Sequence, residues 1–123
     1  MKELKLKKCL KCGALVKVVE DCTCANCGIT CCGEEMSLVR PNSVDAAFEK
    51  HVPTYEITDD NIIVNVNHVM DSDHYIEWIA FINDCKEEFI YLKPGEKAEV
   101  KFKNEKGIIY SYCNKHGLWM KEI

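Results

Sequence analysis

Residues 61–68 read NIIVNVNH and residues 74–81 read HYIEWIAF. In the first, Ile62, Val64, Val66 and His68 fall on one side of an extended chain, and Asn65 and Asn67 on the other. That period of two marks a strand with one face buried. In the second, His74, Ile76, Trp78 and Ala80 are expected to share a face. Working outward, AEVKF at 98–102 sets Ala98, Val100 and Phe102 against Glu99, Lys101 and the following Lys103. IIYSYC at 108–113 places Ile109, Ser111 and Cys113 together, and LKPGEK at 92–97 has the composition of a turn. Short strands separated by turns every roughly 8–12 residues predict a β-sandwich. The one helix candidate is NSVDAAFEK at 42–50, two turns at most, with Asn42 or Ser43 as its cap.

Cysteine and histidine divide the chain. Of nine cysteines, seven lie between Cys9 and Cys32, and residues 1–39 contain no histidine. Residues 40–123 contain the other two cysteines and all four histidines. Arg40-Pro41-Asn42-Ser43 has the character of a linker, so the expected domains are 1–39 and 40–123. The first is too short to bury a self-sufficient core and needs a staple. Its expected shape is a knuckle at Cys9–Cys12, a strand through Ala14–Val19, a turn around Asp21–Asn26 and a return through Ile29–Cys32.

The charge balance narrows the partners. Net charge is −4; residues 1–39 carry six basic and five acidic side chains, residues 40–123 ten and fifteen. No basic stripe points to nucleic acid. An anionic substrate would need a cation placed locally against an acidic background. No apolar run approaches the ~18 residues of a membrane helix. MKELKLKKC at the start is followed by no apolar segment, so the expected compartment is the cytoplasm. There, clustered cysteines are metal ligands more naturally than disulfides.

Two constellations carry chemistry. Cys9-Leu10-Lys11-Cys12-Gly13 is a C-x-x-C-G knuckle, whose spacing lets two thiolates share one metal while the glycine relieves the turn. Two further sulfurs are needed. Either the second knuckle, Cys24 and Cys27, or the vicinal pair Cys31 and Cys32 could supply them, and spacing alone favours Cys24 and Cys27. Cys22 is left over either way. A closed four-thiolate site can staple the fold or, with iron, carry an electron.

The second constellation gathers His51, His68, His74, His116 and Cys113. CNKHGLW at 113–119 by itself would suit a structural clip or a Cys–His nucleophile pair. No orienting third group or oxyanion loop accompanies it. Four imidazoles and one thiolate instead exceed the four ligands of a structural zinc site, and around a six-coordinate redox metal they leave a position for substrate. Glu49 and Lys50 directly precede His51 and could supply a carboxylate and an anion-attracting cation.

The ordered set CLKCG (9–13), CCGEEM (31–36), AAFEKHVP (46–53), His68 and His74 followed by YIEWI, and CNKHGLW resembles the desulfoferrodoxins, the two-domain form of superoxide reductase. The resemblance spans essentially the whole chain. It implies a mainly β protein: a small desulforedoxin-like domain with iron, or zinc, on Cys9, Cys12, Cys31 and Cys32, followed by an immunoglobulin-like β-sandwich. It further implies a catalytic iron with His51, His68, His74 and His116 equatorial and Cys113 axial. Glu49 and Lys50 would lie over the open position. The implied activity is one-electron reduction of superoxide to hydrogen peroxide, with a small redox donor such as rubredoxin and a homodimer as the assembly. The alternative is a non-catalytic iron electron carrier or a zinc-binding protein. One segment departs from the family pattern: ALVKVVEDCTCANCGIT at 14–30 carries three extra cysteines, at 22, 24 and 27. Cys85 is expected to be a free thiol.

Overall fold

The computed structural model describes residues 1–25 and 27–123. They divide into two units: Leu4–Arg40, and Pro41–Ile123 together with Met1–Glu3.

In the smaller unit, β1 (Leu6–Lys8) lies between β2 (Leu15–Lys17) and β5 (Ser37–Val39), antiparallel to both. A minimal hairpin of β3 (Thr30–Cys31) and β4 (Glu34–Glu35) completes it. The expected strand over 14–19 shortens to Leu15–Lys17, and the expected turn at 21–26 runs into Asn26, which lies outside the described residues. Leu4, Leu6, Cys9 and Met36 are its buried apolar side chains. So small a core leaves the cysteines much to do.

Lys7 is also buried, and its ammonium reaches Asp21 Oδ1 at 3.2 Å, while Lys5 reaches Oδ2 at 3.3 Å. The Lys7 ammonium chiefly, then the Cys22 N–H and Lys5, hold the Asp21 carboxyl down to about 2 from its ordinary 3.8. The folded state thus favours the charged form. The stability this carboxylate contributes is complete above pH 3.8 and is lost as pH falls through about 2. Thermal unfolding across that range should show wild type more stable than Asp21→Asn at pH 5, with the difference gone near pH 2. A difference independent of pH would mean the carboxylate is not the linked group.

In the larger unit, one sheet runs in the order β10 (Glu99–Lys103), β7 (Asn61–Asn65), β6 (Thr54–Ile57). The other runs β12 (Gly117–Glu122), β11 (Ile108–Cys113), β8 (Ile76–Ile82), β9 (Glu87–Tyr91). All pairings are antiparallel. Ile62, Val64, Val66, Val100 and Phe102 from the first sheet form one buried cluster with Ile76, Ile79, Phe81, Ile109 and Cys113 from the second. This is the sandwich core. The alternation at 98–102 appears as expected, with Val100 and Phe102 buried between exposed neighbours. The turn before it has Gly95 at φ 86°, a left-handed conformation that glycine adopts without strain.

Two expectations fail for identifiable reasons. His74, Ile76, Trp78 and Ala80 do not share a face throughout, because the pairing of β8 with β11 shifts register: Tyr112 faces Trp78 but Cys113 faces Ile76. The extra residue, Glu77, makes a bulge. Before it Ile76 points into the core; after it Ile79 and Phe81 do. Trp78 instead stacks on Tyr112 at 5.4 Å and meets Phe89 edge-on at 5.0 Å. The helix over 42–50 is also absent, apart from a single 3₁₀ turn at Phe48–Lys50. Asn42, in the left-handed region at φ 56°, caps nothing: its N–H donates to Leu118 O, and its Oδ1 accepts from the Met120 N–H at 2.9 Å. Asn42 thereby fastens the segment to β12.

Candidate metal centres

Strand pairing places five donors at the ends of strands. Thr54, just after His51, pairs with Asn65, just before His68. Ile76, just after His74, pairs with Cys113, which pairs in turn with Gly117, next to His116. One donor nitrogen from each of His51, His68, His74 and His116 lies with Cys113 Sγ in a group whose atoms are all within 4.8 Å of one another.

The imidazoles form a closed ring. Centroids are 4.7 Å apart for His51–His68, 4.6 Å for His68–His74, 5.1 Å for His74–His116 and 4.9 Å for His116–His51. Each pair is edge-to-face, with interplanar angles of 70° to 87°. Backbone carbonyls set the tautomers. His51 Nδ1–H donates to Ala47 O at 2.7 Å, and His68 Nδ1–H to Val69 O at 2.5 Å. Each bond leaves Nε2 as a lone pair aimed inward, the arrangement that orients metal-binding histidines elsewhere.

The inward atoms face one another. His51 Nε2 faces His116 Nδ1 at 3.1 Å, and His68 Nε2 faces Cys113 Sγ at 3.4 Å. Cys113 Sγ lies 3.9 Å from His116 Nδ1. His74 Nε2 is buried with no hydrogen-bond partner, a costly state unless something else satisfies it. Burial lowers the pKa of His68 and of His74; neighbouring imidazoles add to this, and for His74 so does Lys115. Four converging imidazole nitrogens, one of them orphaned, and one buried thiol fit a bound metal cation.

Surrounding residues hold the donors. Ser111 Oγ–H donates to His51 O at 2.9 Å within the core. Trp119 stacks on His51 at 4.8 Å, and its Nε1–H donates to His116 O at 3.1 Å. Asn114 ties the two loops: its Oδ1 accepts from the Tyr75 N–H at 3.0 Å and its Nδ2 donates to Asp73 O at 2.9 Å. Nothing in its spacing marks Asn114 as a positioning residue. Gly117, at φ 77°, makes the sharp reversal from His116 into β12.

A cavity of about 500 Å³ opens onto the ring, lined by His51, His68, His74 and His116 together with Asp45, Lys50 and Asp71. Lys50 is the only lysine or arginine among its described lining residues. Glu49 does not line this cavity; it faces a separate one with Phe48, Val52, Pro53, Thr54, Tyr55 and Lys121.

The second group of donors is Cys9, Cys12, Cys31 and Cys32, again all within 4.8 Å. The knuckle closes through Gly13 N–H to Cys9 O at 2.9 Å, with Gly13 at φ 81°. Cys12 Sγ is 3.6 Å from Cys31 Sγ, and Cys31 Sγ is 3.9 Å from Cys32 Sγ. Adjacent side chains on a strand point apart. The left-handed Cys32, at φ 54°, breaks that alternation and keeps both sulfurs together. Crowding with Cys12, then with Cys9 and Cys32, pushes the Cys31 thiol up to about 12, whereas the Cys12 N–H helps bring Cys9 down to about 7. Four thiolates at this spacing need a cation between them. Cys24 and Cys27, the pair favoured by spacing, lie outside the group with their sulfurs joined to each other. Cys85 is an exposed free thiol.

A two-sheet β-sandwich whose strand ends converge four imidazoles and one thiolate defines a non-haem metalloprotein with a mixed nitrogen–sulfur site. Comparison with known proteins narrows the class. The desulfoferrodoxin family profile matches residues 43–122. A desulfoferrodoxin from Syntrophotalea carbinolica is 42% identical over 98% of this chain and 97% of its own length. Another, from Desulfarculus baarsii, is 41% identical over 97% and 96%. The crystal structure of the superoxide reductase from Treponema pallidum superposes with a TM-score of 0.74 at 27% identity, covering 98% of this chain and 100% of that one. The chain belongs to the desulfoferrodoxin family.

Proposed function

We propose that the chain is a superoxide reductase, catalysing superoxide plus one electron plus two protons to hydrogen peroxide. The observation that carries this reading is the group His51, His68, His74, His116 and Cys113, open to a cavity that Lys50 lines. These five residues would hold iron through four nitrogens and one sulfur, and iron bound there supplies the electron by passing from ferrous to ferric. Cys113, fully buried, would supply the thiolate ligand, and His51, His68, His74 and His116 the four imidazoles. A desolvated thiolate donates charge to its metal, as cysteinate does in haem proteins.

The remaining chemistry is that of the chain's own groups. Superoxide is an anion entering an acidic unit, and Asp45 and Asp71 also line the cavity. Lys50 is the cation that draws it in, with the exposed Lys115, whose charge acts on His74, adding to the local field. The Lys50 ammonium also offers protons from the cavity wall. Glu49, which lines a neighbouring cavity in this structure, would reach the site on a rearrangement of the Phe48–Lys50 turn.

The Cys9, Cys12, Cys31 and Cys32 group would hold a second iron, or zinc, in a desulforedoxin-like domain formed by the first forty or so residues. Electrons would come from a small redox protein such as rubredoxin. A homodimer in the cytoplasm is the expected setting; no helix of the described residues is long and apolar enough to cross a membrane.

The test is stoichiometric. Reduced, iron-loaded protein given superoxide should yield one hydrogen peroxide per superoxide consumed and no dioxygen. Dioxygen release, the mark of dismutation, would overturn the reading. Lys50→Ala should slow the bimolecular reaction about ten-fold and flatten its salt dependence, the lower end of what electrostatic steering provides. An unchanged rate and salt slope would remove Lys50 from that role.

A further inference from the structure

Cys22, Cys24 and Cys27 stand outside both groups of metal donors. The sulfurs of Cys24 and Cys27 are joined, Cys22 is a free thiol, and all three residues are exposed. We propose that this loop is a thiol–disulfide exchange site, which takes two electrons from a dithiol independently of either metal centre.

A structural role explains the bridge poorly. Its partners are only three apart in sequence, so closing the loop removes little chain entropy compared with a long-range link. The same unit already has the Cys9, Cys12, Cys31 and Cys32 group to staple it. Exposure means an attacking thiolate can reach either sulfur.

The surroundings suit exchange. Cys22 Sγ lies 3.7 Å from Cys27 O, so a third thiol stands against the backbone of the bridge. It is anchored there by Asp21 Oδ1, which accepts from the Cys22 N–H at 2.9 Å and lies 3.5 Å from the thiol. Asp21 is in turn held by Lys5 and Lys7. On the other side, a cavity of about 380 Å³ is lined by Cys27 with Ala25, Gly28, Thr30 and Glu35. It gives a thiol-bearing group room to approach Cys27. The Glu35 carboxylate packs on Gly28, where a Cβ would require this exposed side chain to shift.

The exchange balances without a further reagent. One thiolate of the dithiol attacks the sulfur of Cys24 or Cys27, the S–S bond breaks, and the displaced cysteine leaves as thiolate and takes a proton. The second thiol of the reductant then attacks the mixed disulfide, closing its own S–S bond and releasing the other cysteine. Two electrons and two protons pass from the dithiol to Cys24 and Cys27. Cys22, left free in the oxidised loop, can attack Cys27 in the same way and release Cys24, moving the bridge within the loop.

The test uses the full chain with its metals bound. The protein is equilibrated without oxygen in buffers of graded reduced-to-oxidised dithiothreitol ratio, quenched in acid, denatured and alkylated. The peptide carrying residues 22–27 is then weighed. It should pass from one alkylated cysteine to three in a single two-electron step, while metal content stays constant. Cys22→Ser should keep the step with one label fewer. Cys24→Ser combined with Cys27→Ser should abolish it and still bind metal at the other four cysteines. Three results would each overturn the proposal. These are a peptide that keeps a single label in large excess of reduced dithiothreitol, one already carrying three labels in fully oxidised buffer, or metal loss from the double variant.

Discussion

Cys113→Ser is expected to abolish the sulfur-to-iron charge-transfer band of the oxidised, iron-loaded protein and to slow superoxide reduction by about 100-fold or more. Cys113 is the only sulfur in the five-donor group, is fully buried, and contacts His68 Nε2 at 3.4 Å. A serine hydroxyl keeps the shape but does not ionise near neutral pH, so the site loses its one anionic donor. Changes in residues that merely orient ligands cost about 10–100-fold; loss of a ligand should exceed that. The four imidazoles are untouched, so metal content should fall less than activity. A retained band would mean that the thiolate lies elsewhere.

Trp119→Ala should destabilise the sandwich by about 3–5 kcal/mol, as large-to-small changes at fully buried aromatics do. Trp119 is completely buried, lies face-on to His51 at 4.8 Å, meets Phe48 edge-on at 5.2 Å and donates to His116 O. That loss is a large share of the roughly 5–15 kcal/mol by which domains are stable. Urea unfolding of the metal-free protein measures it without confusion from metal loss. The two tryptophans of the chain, Trp78 and Trp119, both lie in the sandwich, so Trp78 fluorescence reports the transition in the variant. Trp119→Phe should recover most of the packing. A midpoint unchanged in the alanine variant would show that the surroundings collapse into the space.

Much of the site was legible because its donors are chemically rare and sit at strand ends, where alternation stops. His68 follows the clean pattern of Ile62, Val64 and Val66, and Cys113 closes the run Ile109, Ser111, Cys113; the core holds Ile62, Val64, Val66, Ile109 and Cys113, while His68 lies half-buried just past the end of β7. Alternation misled only past Ile76, where one extra residue at Glu77 reverses every side chain beyond it. A bulge depends on the partner strand, which local pattern does not contain. The segment at 42–50 misled differently: Asn42 looks like a cap, but its hydrogen bonds go to β12, almost eighty residues away in sequence. The choice of Cys31 and Cys32 over Cys24 and Cys27 also lay beyond spacing. It depends on the left-handed backbone at Cys32 and on the bond between the other two sulfurs.

The distribution of the donors over both sheets has a kinetic consequence. His51 and His68 flank the pair β6 and β7, whereas His74, Cys113 and His116 belong to the ends of β8, β11 and β12. Neither sheet alone assembles more than three donors. A folding chain therefore cannot capture its metal tightly until the two sheets have docked. Metal uptake during refolding should then lag behind burial of Trp78, and a metal once seated should act as a rivet that slows the sheets' separation far more than it speeds their meeting.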